Sequence, residues 1–277
     1  MKRCIFLLFL FAAPLLPAQT LTALTYNIRF DNPADGDDAW PKRRDFLAAQ
    51  IRFNAPDVFG IQEGLLRQLV YLDSAFADYA RVGVGRDDGK EGGEYSAFYF
   101  RRDRFRVLAS GTFWLSETPN VPSRGWDAAL NRVCSYACLF DSLSSRPFWV
   151  FNTHFDHMGQ EARRHSAELI LKKVKELNPG GFPVIVMGDF NSKPADAPVQ
   201  TILKEMSDTE SISQELSFGP AGTFNGFKFH EPVTERIDYI FLGGKGLKVL
   251  QHAVLSDNRN CHYPSDHLPV LARLEWE

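Results

Sequence analysis

The chain has 277 residues, 44% hydrophobic and 13% aromatic, with 31 basic against 34 acidic side chains and a net charge of −3. That balance excludes disordered, collagen-like and coiled-coil proteins, each of which needs a strong compositional bias. The acidic total argues against a purely electrostatic nucleic-acid binder, while 23 Phe and 5 Trp suffice for a large core.

Met1-Lys2-Arg3 is a short basic start, Cys4 to Leu16 is nearly unbroken apolar sequence, and Leu16-Pro17-Ala18 ends in a small residue. This predicts a secretory signal over residues 1–18, cleaved after Ala18, and therefore an exported protein, periplasmic or extracellular. The apolar run is too short for a hydrocarbon core of roughly 30 Å, and no later segment is long and apolar enough to cross a membrane. Residues 19–277 are expected to form one domain.

Short β-rich runs follow: Leu21–Ile28, Val58–Ile61, Tyr95–Phe100, Phe105–Phe113, Arg132–Phe140, Pro147–His154, Pro183–Gly188, Arg236–Leu242, Leu247–Leu255 and Leu268–Trp276. Several alternate apolar with polar positions, as half-buried strands do. Helical periodicity is seen in Lys42–Phe53, in Gln160–Leu177 and, over a shorter stretch, in Ala195–Met206. In the second of these, Ala162, Ser166, Leu169, Ile170 and Val174 make an inward stripe, and Asn178-Pro179-Gly180-Gly181 stops the helix. Helices scattered among many strands predict two packed sheets covered by helices.

Beyond residue 18 the cysteines are Cys134, Cys138 and Cys261. The first two share a strand face roughly 13 Å apart, beyond disulfide reach of about 7 Å. Either can pair with Cys261, but an odd count leaves a thiol free, and core thiols are expected. Their spacing does not suit zinc.

Six apolar runs end abruptly in groups that bind metals or move protons. They are Thr25-Tyr26-Asn27-Ile28-Arg29, Val58 to Gln62-Glu63, Phe148 to Asn152-Thr153-His154-Phe155-Asp156-His157, Val184 to Gly188-Asp189-Phe190-Asn191, Arg236-Ile237-Asp238-Tyr239, and Ser265-Asp266-His267-Leu268-Pro269. An acid between Ile237 and Tyr239 needs a partner or a special role. Carboxylates, amides and two separated histidines suit hydrolysis assisted by a hard divalent cation, which prefers oxygen ligands. Gly-x-Ser-x-Gly and P-loop motifs are missing.

These six motifs, in this order, resemble the endonuclease/exonuclease/phosphatase family, which includes pancreatic-type deoxyribonuclease, and look most like its secreted bacterial branch. The resemblance covers Thr25 to Pro269 and implies an α/β (α+β) fold, a four-layer α/β/β/α sandwich of two mainly antiparallel sheets flanked by helices. It implies Mg²⁺-dependent phosphoester cleavage, with Mn²⁺ or Ca²⁺ as other candidate ions. Glu63 would be the principal metal ligand, with Asn27 and Asp266 beside the ion. Asp189 would activate water, Asn191 hold the phosphate, and His267 contact it while oriented by Asp238. His154 stands at the second active-site histidine, with Glu94 as its expected partner and Asp156 nearby. Abasic-site endonucleases carry a carboxylate where this chain has Arg29. Arginine resembles the pancreatic-type deoxyribonuclease instead, cannot ligate a metal, and favours a single Mg²⁺.

Two loops are candidate substrate elements. Phe113 to Asp127, leading to Arg132, offers Arg124, Trp126 and Arg132. Phe218 to His230 offers Phe224 and Asn225. Arg101, Arg102, Arg104 and Arg106 read as a solvated basic turn. The expected function is a secreted divalent-metal phosphoesterase, foremost a phosphodiesterase, with no stable protein partner implied. The alternatives are an extracytoplasmic DNA or RNA nuclease, a sphingomyelinase-like lipid phosphodiesterase, a sugar or inositol phosphatase, and a binding protein on the same scaffold.

Overall fold

Alternation along each strand decides the layers. In β1 (Thr20–Asn27) Leu21 and Ala23 point one way and Leu24 and Tyr26 the other. In β8 (Val184–Asp189) Ile185 and Met187 oppose Val184 and Val186 in the same manner. Both faces of both strands are apolar, so each must be covered on both sides. The computed structural model describes residues 19–277 and shows how; the expected signal over residues 1–18 lies outside the described residues.

The remaining strands are β2 (Val58–Gly64), β3 (Tyr79–Val82), β4 (Tyr95–Arg101), β5 (Phe105–Trp114), β6 (Val133–Asp141), β7 (Arg146–His154), β9 (Ser207–Asp208), β10 (Asp238–Gly243), β11 (Leu247–Val254) and β12 (Val270–Trp276). They form two six-stranded sheets, ordered β11-β12-β1-β2-β4-β3 and β5-β6-β7-β8-β10-β9. One core layer lies between the sheets. A second covers the outer face of the β1 sheet under α1 (Trp40–Asn54) and α2 (Leu66–Ala75). A third covers the β8 sheet under α3 (Gln160–Leu177) and α4 (Ala197–Ile202). The four-layer α/β/β/α sandwich is therefore present.

Each sheet has one parallel pair at its centre, β1 with β2 and β7 with β8; the other pairs are antiparallel. Parallel neighbours bring their carboxyl ends to the same edge. Asn27 is thus level with Gln62, and His154 with Asp189. Antiparallel β10 starts where β8 ends, so Asp238 sits opposite Asp189. β12 runs back along β1, with Thr25 opposite Val270, which delivers the preceding Asp266 and His267 to the same edge.

Several expectations are corrected. All ten strands exist, but β3, the two-residue β9 and α2 were not foreseen, and the third helix expected is only Ala197–Ile202. Gln160–Leu177 has the expected bounds, yet Ala167 and Leu171 are buried, while Leu169 and Val174 are half-buried. The stripe is rotated toward the small side chains that let α3 approach the sheet. Cys134 and Cys138 are buried free thiols, whereas Cys261 is free and exposed, on a surface turn instead of in the core. Arg104 is not solvated: it is buried and ion-paired at 2.9 Å with Asp57 and 2.8 Å with Asp141. No helix among the described residues is long and apolar enough to cross a membrane.

Candidate active site

Strand parity sends Thr25 and Asn27 of β1, Asn152 and His154 of β7, Asp189 of β8 and Asp238 of β10 toward the space between the sheets. Deeper along those strands the same face is hydrocarbon; at this edge it is polar. Asn152 joins the two sheets, donating to Ile61 and Ala97 carbonyls and accepting from Gln62 Nε2 at 2.7 Å. Glu63 breaks parity. Alternation would send it toward the helices with Phe59 and Ile61, but its φ of 64° and a register shift between Ile61 and Gly64 turn it. Its carboxylate accepts from Asn27 Nδ2 at 3.0 Å and from the Phe30 amide at 3.1 Å. A bulge beside a site commonly re-aims a side chain in this way. Gly188 permits another close approach. Its φ is 147°, and a Cβ there would lie 2.0 Å from the Thr153 carbonyl oxygen.

Asp189 is the hub, 1% exposed. It accepts from Asn27 Nδ2 at 2.9 Å and from the Asn191 amide at 2.8 Å; His154 Nε2 is 3.4 Å away and His267 Nε2 3.8 Å. Burial, then the charge of Asp238, push its carboxyl up to about 7. His267 Nδ1 donates to Asp238 Oδ2 at 2.9 Å, and Thr223 Oγ1 donates to the same oxygen at 2.6 Å. Burial alone would favour a neutral His267 ring. The charges of Asp238 and Asp189 and the bond to Asp238 overcome it, raising the ring well above the ordinary histidine value.

On the other side, Asp266 is raised by burial, which outweighs the opposing charge of His267 and is reinforced by the charge of Glu63. Its nearest cation is Arg29, with Nε 3.8 Å away and mainly engaged with Asp35. Two carboxylates thus face one cavity, Glu63 with no ion pair among the described residues and Asp266 with only the 3.8 Å contact to Arg29, an arrangement that suits a hard cation. Asn27 uses its amide nitrogen to tie Glu63 to Asp189, and its oxygen accepts from the Arg29 amide. Asp189, Asp238 and His267 also bring ligand atoms within 4.8 Å of one another. His267 Nδ1 is already committed to Asp238, while its Nε2 lies 3.8 Å from Asp189 Oδ2, so within the trio only the His267–Asp238 contact is a hydrogen bond.

Glu63, His154, Asp189, Asn191, Asp266 and His267 line a cavity of about 660 Å³ with Arg29, Glu94, Leu130, Arg132, His157, Lys193, Glu235 and Phe224. Arg132 Nη1, not Glu94, meets His154 Nδ1, at 2.9 Å; Glu94 instead accepts from Arg86 at 2.5 Å. Asp156 accepts from the amides of Ala129, Leu130, Met158 and Gly159. Asn191 donates to the Phe155 carbonyl and lies 3.0 Å from His154 Nε2.

The substrate loops divide. Arg124 is exposed and Trp126 stacks on His165 of α3 at 4.7 Å; neither lines the cavity. Their loop instead anchors α3, with Asp127 accepting from the Ala162 amide. In the second loop only Phe224 reaches the cavity, edge-on to His267 at 5.1 Å. Asn225 braces the Asp266 turn by donating to the Ser265 carbonyl. Thr223, Arg86, Lys193 and Glu235 had not been singled out. Arg86 and Glu94 lie in one glycine-rich turn, a signal that was readable; Thr223 reaches Asp238 only through the loop's path.

A viral relative from Acanthamoeba polyphaga mimivirus, described as an uncharacterized protein, is 34% identical across 85% of this chain and 92% of its own. A solved endonuclease/exonuclease/phosphatase family protein from Bacteroides thetaiotaomicron superposes with a TM-score of 0.90 at 37% identity, over 95% of this chain and 100% of that one. A mannosyl-6-phosphatase from the same organism gives 0.88 at 38% identity, over 92% and 99%. The Endonuclease/Exonuclease/phosphatase family pattern matches residues 24–267, and the chain belongs to that family of phosphoester hydrolases.

Proposed function

We propose that the protein is a divalent-metal-dependent phosphoesterase whose substrate is a small phosphorylated polar molecule, a phosphorylated sugar being the class that fits best. The observation carrying this reading is that each cation lining the cavity is already matched to a carboxylate. Arg29 pairs with Asp35, Arg132 with Asp156 and Lys193 with Glu235. A nucleic-acid track needs cations free to neutralise successive phosphates. A pocket with one reactive end and a rim of paired charges suits one phosphate attached to a hydroxylated body. The 38% identity to a mannosyl-6-phosphatase supports the same class.

In this reading Glu63 and Asp266 hold the cation, Mg²⁺ being our choice, and the bound ion supplies charge to offset the phosphate oxygens. Asp189 takes the proton of the attacking water, a task for which a carboxyl raised to about 7 is suited. His267, charged and braced by Asp238, donates to the phosphate; Asn191 orients it. Phe224 walls the pocket beside His267. We further propose that residues 1–18 are an export signal and that the enzyme acts outside the cytoplasm.

The test is phosphate release from hexose phosphates and an aryl phosphomonoester, beside cleavage of a bis-aryl diester and of single-stranded DNA, with Mg²⁺, Mn²⁺ or chelator. Chelator-sensitive monoester turnover that disappears in Asp189→Ala supports the reading. Preference for the diester or for DNA would replace it with the phosphodiesterase or nuclease alternative.

A further inference from the structure

Arg132 precedes β6, is 5% exposed, and directs its guanidinium at two histidines at once. Nη1 lies 2.9 Å from His154 Nδ1, Nη2 lies 3.1 Å from His157 Nδ1, and Nε lies 3.4 Å from Asp156 Oδ2. A guanidinium has donors only and keeps its proton in proteins. The Nδ1 atom of each ring must therefore present a lone pair, and a neutral imidazole with a bare Nδ1 carries its hydrogen on Nε2.

For His154, two groups stand near Nε2: Asn191 Nδ2 at 3.0 Å and Asp189 Oδ2 at 3.4 Å. Asn191 Nδ2 already donates to the Phe155 carbonyl at 3.0 Å, which orients the amide with its nitrogen toward the ring. Two donors do not pair, so the group on the Nε2 side that offers only acceptors is the Asp189 carboxylate, 3.4 Å away. A second proton on the ring would have to sit at Nδ1, pointing into the guanidinium. Burial opposes that charge, and so do Arg132, Arg86, His267 and His157. Of the nearby acids, Asp189 faces Nε2 and not the Nδ1 atom where a second proton would sit. Arg86 holds Glu94, and Asp156 spends its oxygens on Arg132 and four backbone amides.

We infer that Arg132 is a positioning residue that locks His154 as a neutral ring with its proton on Nε2, facing Asp189 and the cavity. Asp156 is the anchor of this relay, holding Arg132 in place. The two histidines of the site then have opposite tasks. His267 is kept charged by a carboxylate; His154 is kept neutral by a guanidinium and donates a hydrogen bond without supplying a proton. The assignment goes beyond the proposed phosphoesterase activity, and only its kinetic consequence rests on that reading.

The test is long-range proton–nitrogen NMR of the histidine rings in ¹⁵N-labelled protein without substrate, with His154→Gln to assign the signals. The expected result is the Nε2-protonated neutral form of His154, with no second proton on the ring between about pH 5.5 and 8, any shift there following Asp189. In Arg132→Met the ring should exchange tautomers and titrate closer to about 6.5. Its kcat should fall about 10- to 100-fold, as for loss of other orienting partners, with KM changed less than about threefold. A proton on Nδ1 of His154 at any pH in that range in the unaltered protein overturns the inference. So does an unchanged His154 spectrum in Arg132→Met. Should that variant not fold, the spectrum of the unaltered protein decides alone. The expected tautomer in a protein that cleaves no phosphoester would remove the function and leave the positioning role standing.

Discussion

The two ends of the sandwich bury similar charges and treat them oppositely. At the end where β2 and β7 begin, Arg104 bridges the sheets between Asp57 and Asp141. Asp141 gains further donors from the Leu143 amide, Ser144 Oγ and Trp276 Nε1, and Asp57 gains the Thr22 amide. Burial would raise Asp141, but Arg104 and these donors pull it below the usual carboxylate range. At the end where the same strands finish, Asp189 is raised to about 7, Asp266 is raised, and Asp238 Oδ1 has no hydrogen-bond partner. A carboxylate surrounded by donors holds the sheets together. One left short of donors is poised to take a proton, bind a cation or steer a ring.

The sharpest way to separate the two ends is Asp189→Asn. It should lower kcat/KM about 10³- to 10⁴-fold, the upper range for a general base. The melting temperature should hold or rise, because a buried conflict with Asp238 is relieved. Retained activity would remove Asp189 from the mechanism. Arg104→Met should do the reverse. It leaves two buried carboxylates without their cation, so unfolding free energy should fall by about 3–5 kcal/mol, while turnover per folded molecule stays the same. Denaturation curves beside active-site titration check both halves, and a stable Arg104→Met would show that the clamp is not structural.

A pH profile sharpens the contrast next. Asp189 works as the carboxylate and is faced by Asp238, His267 and His154. Because its pKa is raised to about 7, activity should fall as pH drops through that value. A rate that is flat from about pH 8 down to 5 would sink the base assignment. The smallest effect belongs to His252, a buried ring outside both ends whose Nδ1 meets Ser217 Oγ at 2.7 Å. Burial lowers it to about 4, against about 6.5 in the unfolded chain. A depressed histidine stabilises the fold above its unfolded value and loses that contribution as pH falls from about 6.5 toward 4. His252→Asn should flatten the stability curve in that window; an unchanged slope would show that other groups set it.

Much of this is legible in the sequence. Strand ends carrying Asn27, Glu63, His154, Asp189, Asp238 and His267 could be read individually, because a polar residue closing an apolar run is a local event. Helix α3 was legible at both ends, since eighteen residues of periodic pattern close on Asn178-Pro179-Gly180. Helix α2 was not. It is held partly by a buried Gln68, which accepts from Asp31 and Leu65 amides and donates to the Arg29 carbonyl, contacts made across loops. Within the turn containing Arg101 to Arg106, Arg104 looked as solvated as its exposed neighbours Arg102 and Arg106 because its partners, Asp57 and Asp141, are far away in sequence.

What the sequence determined by itself is the inventory: which side chains can bind a cation or move a proton, and that each stands where a strand begins or stops. Their assembly is a tertiary decision. Parallel pairing of β1 with β2 and of β7 with β8 brings separate strand ends to one edge, and neither register is encoded locally. Tertiary structure also chose the partners. It placed Arg132 on His154 where Glu94 was expected, gave Glu94 to Arg86, and matched each cavity cation to a carboxylate. Residue type sets what a group can do. Its charge state is set by burial and by neighbours a few ångströms away, and those neighbours are recruited from across the chain.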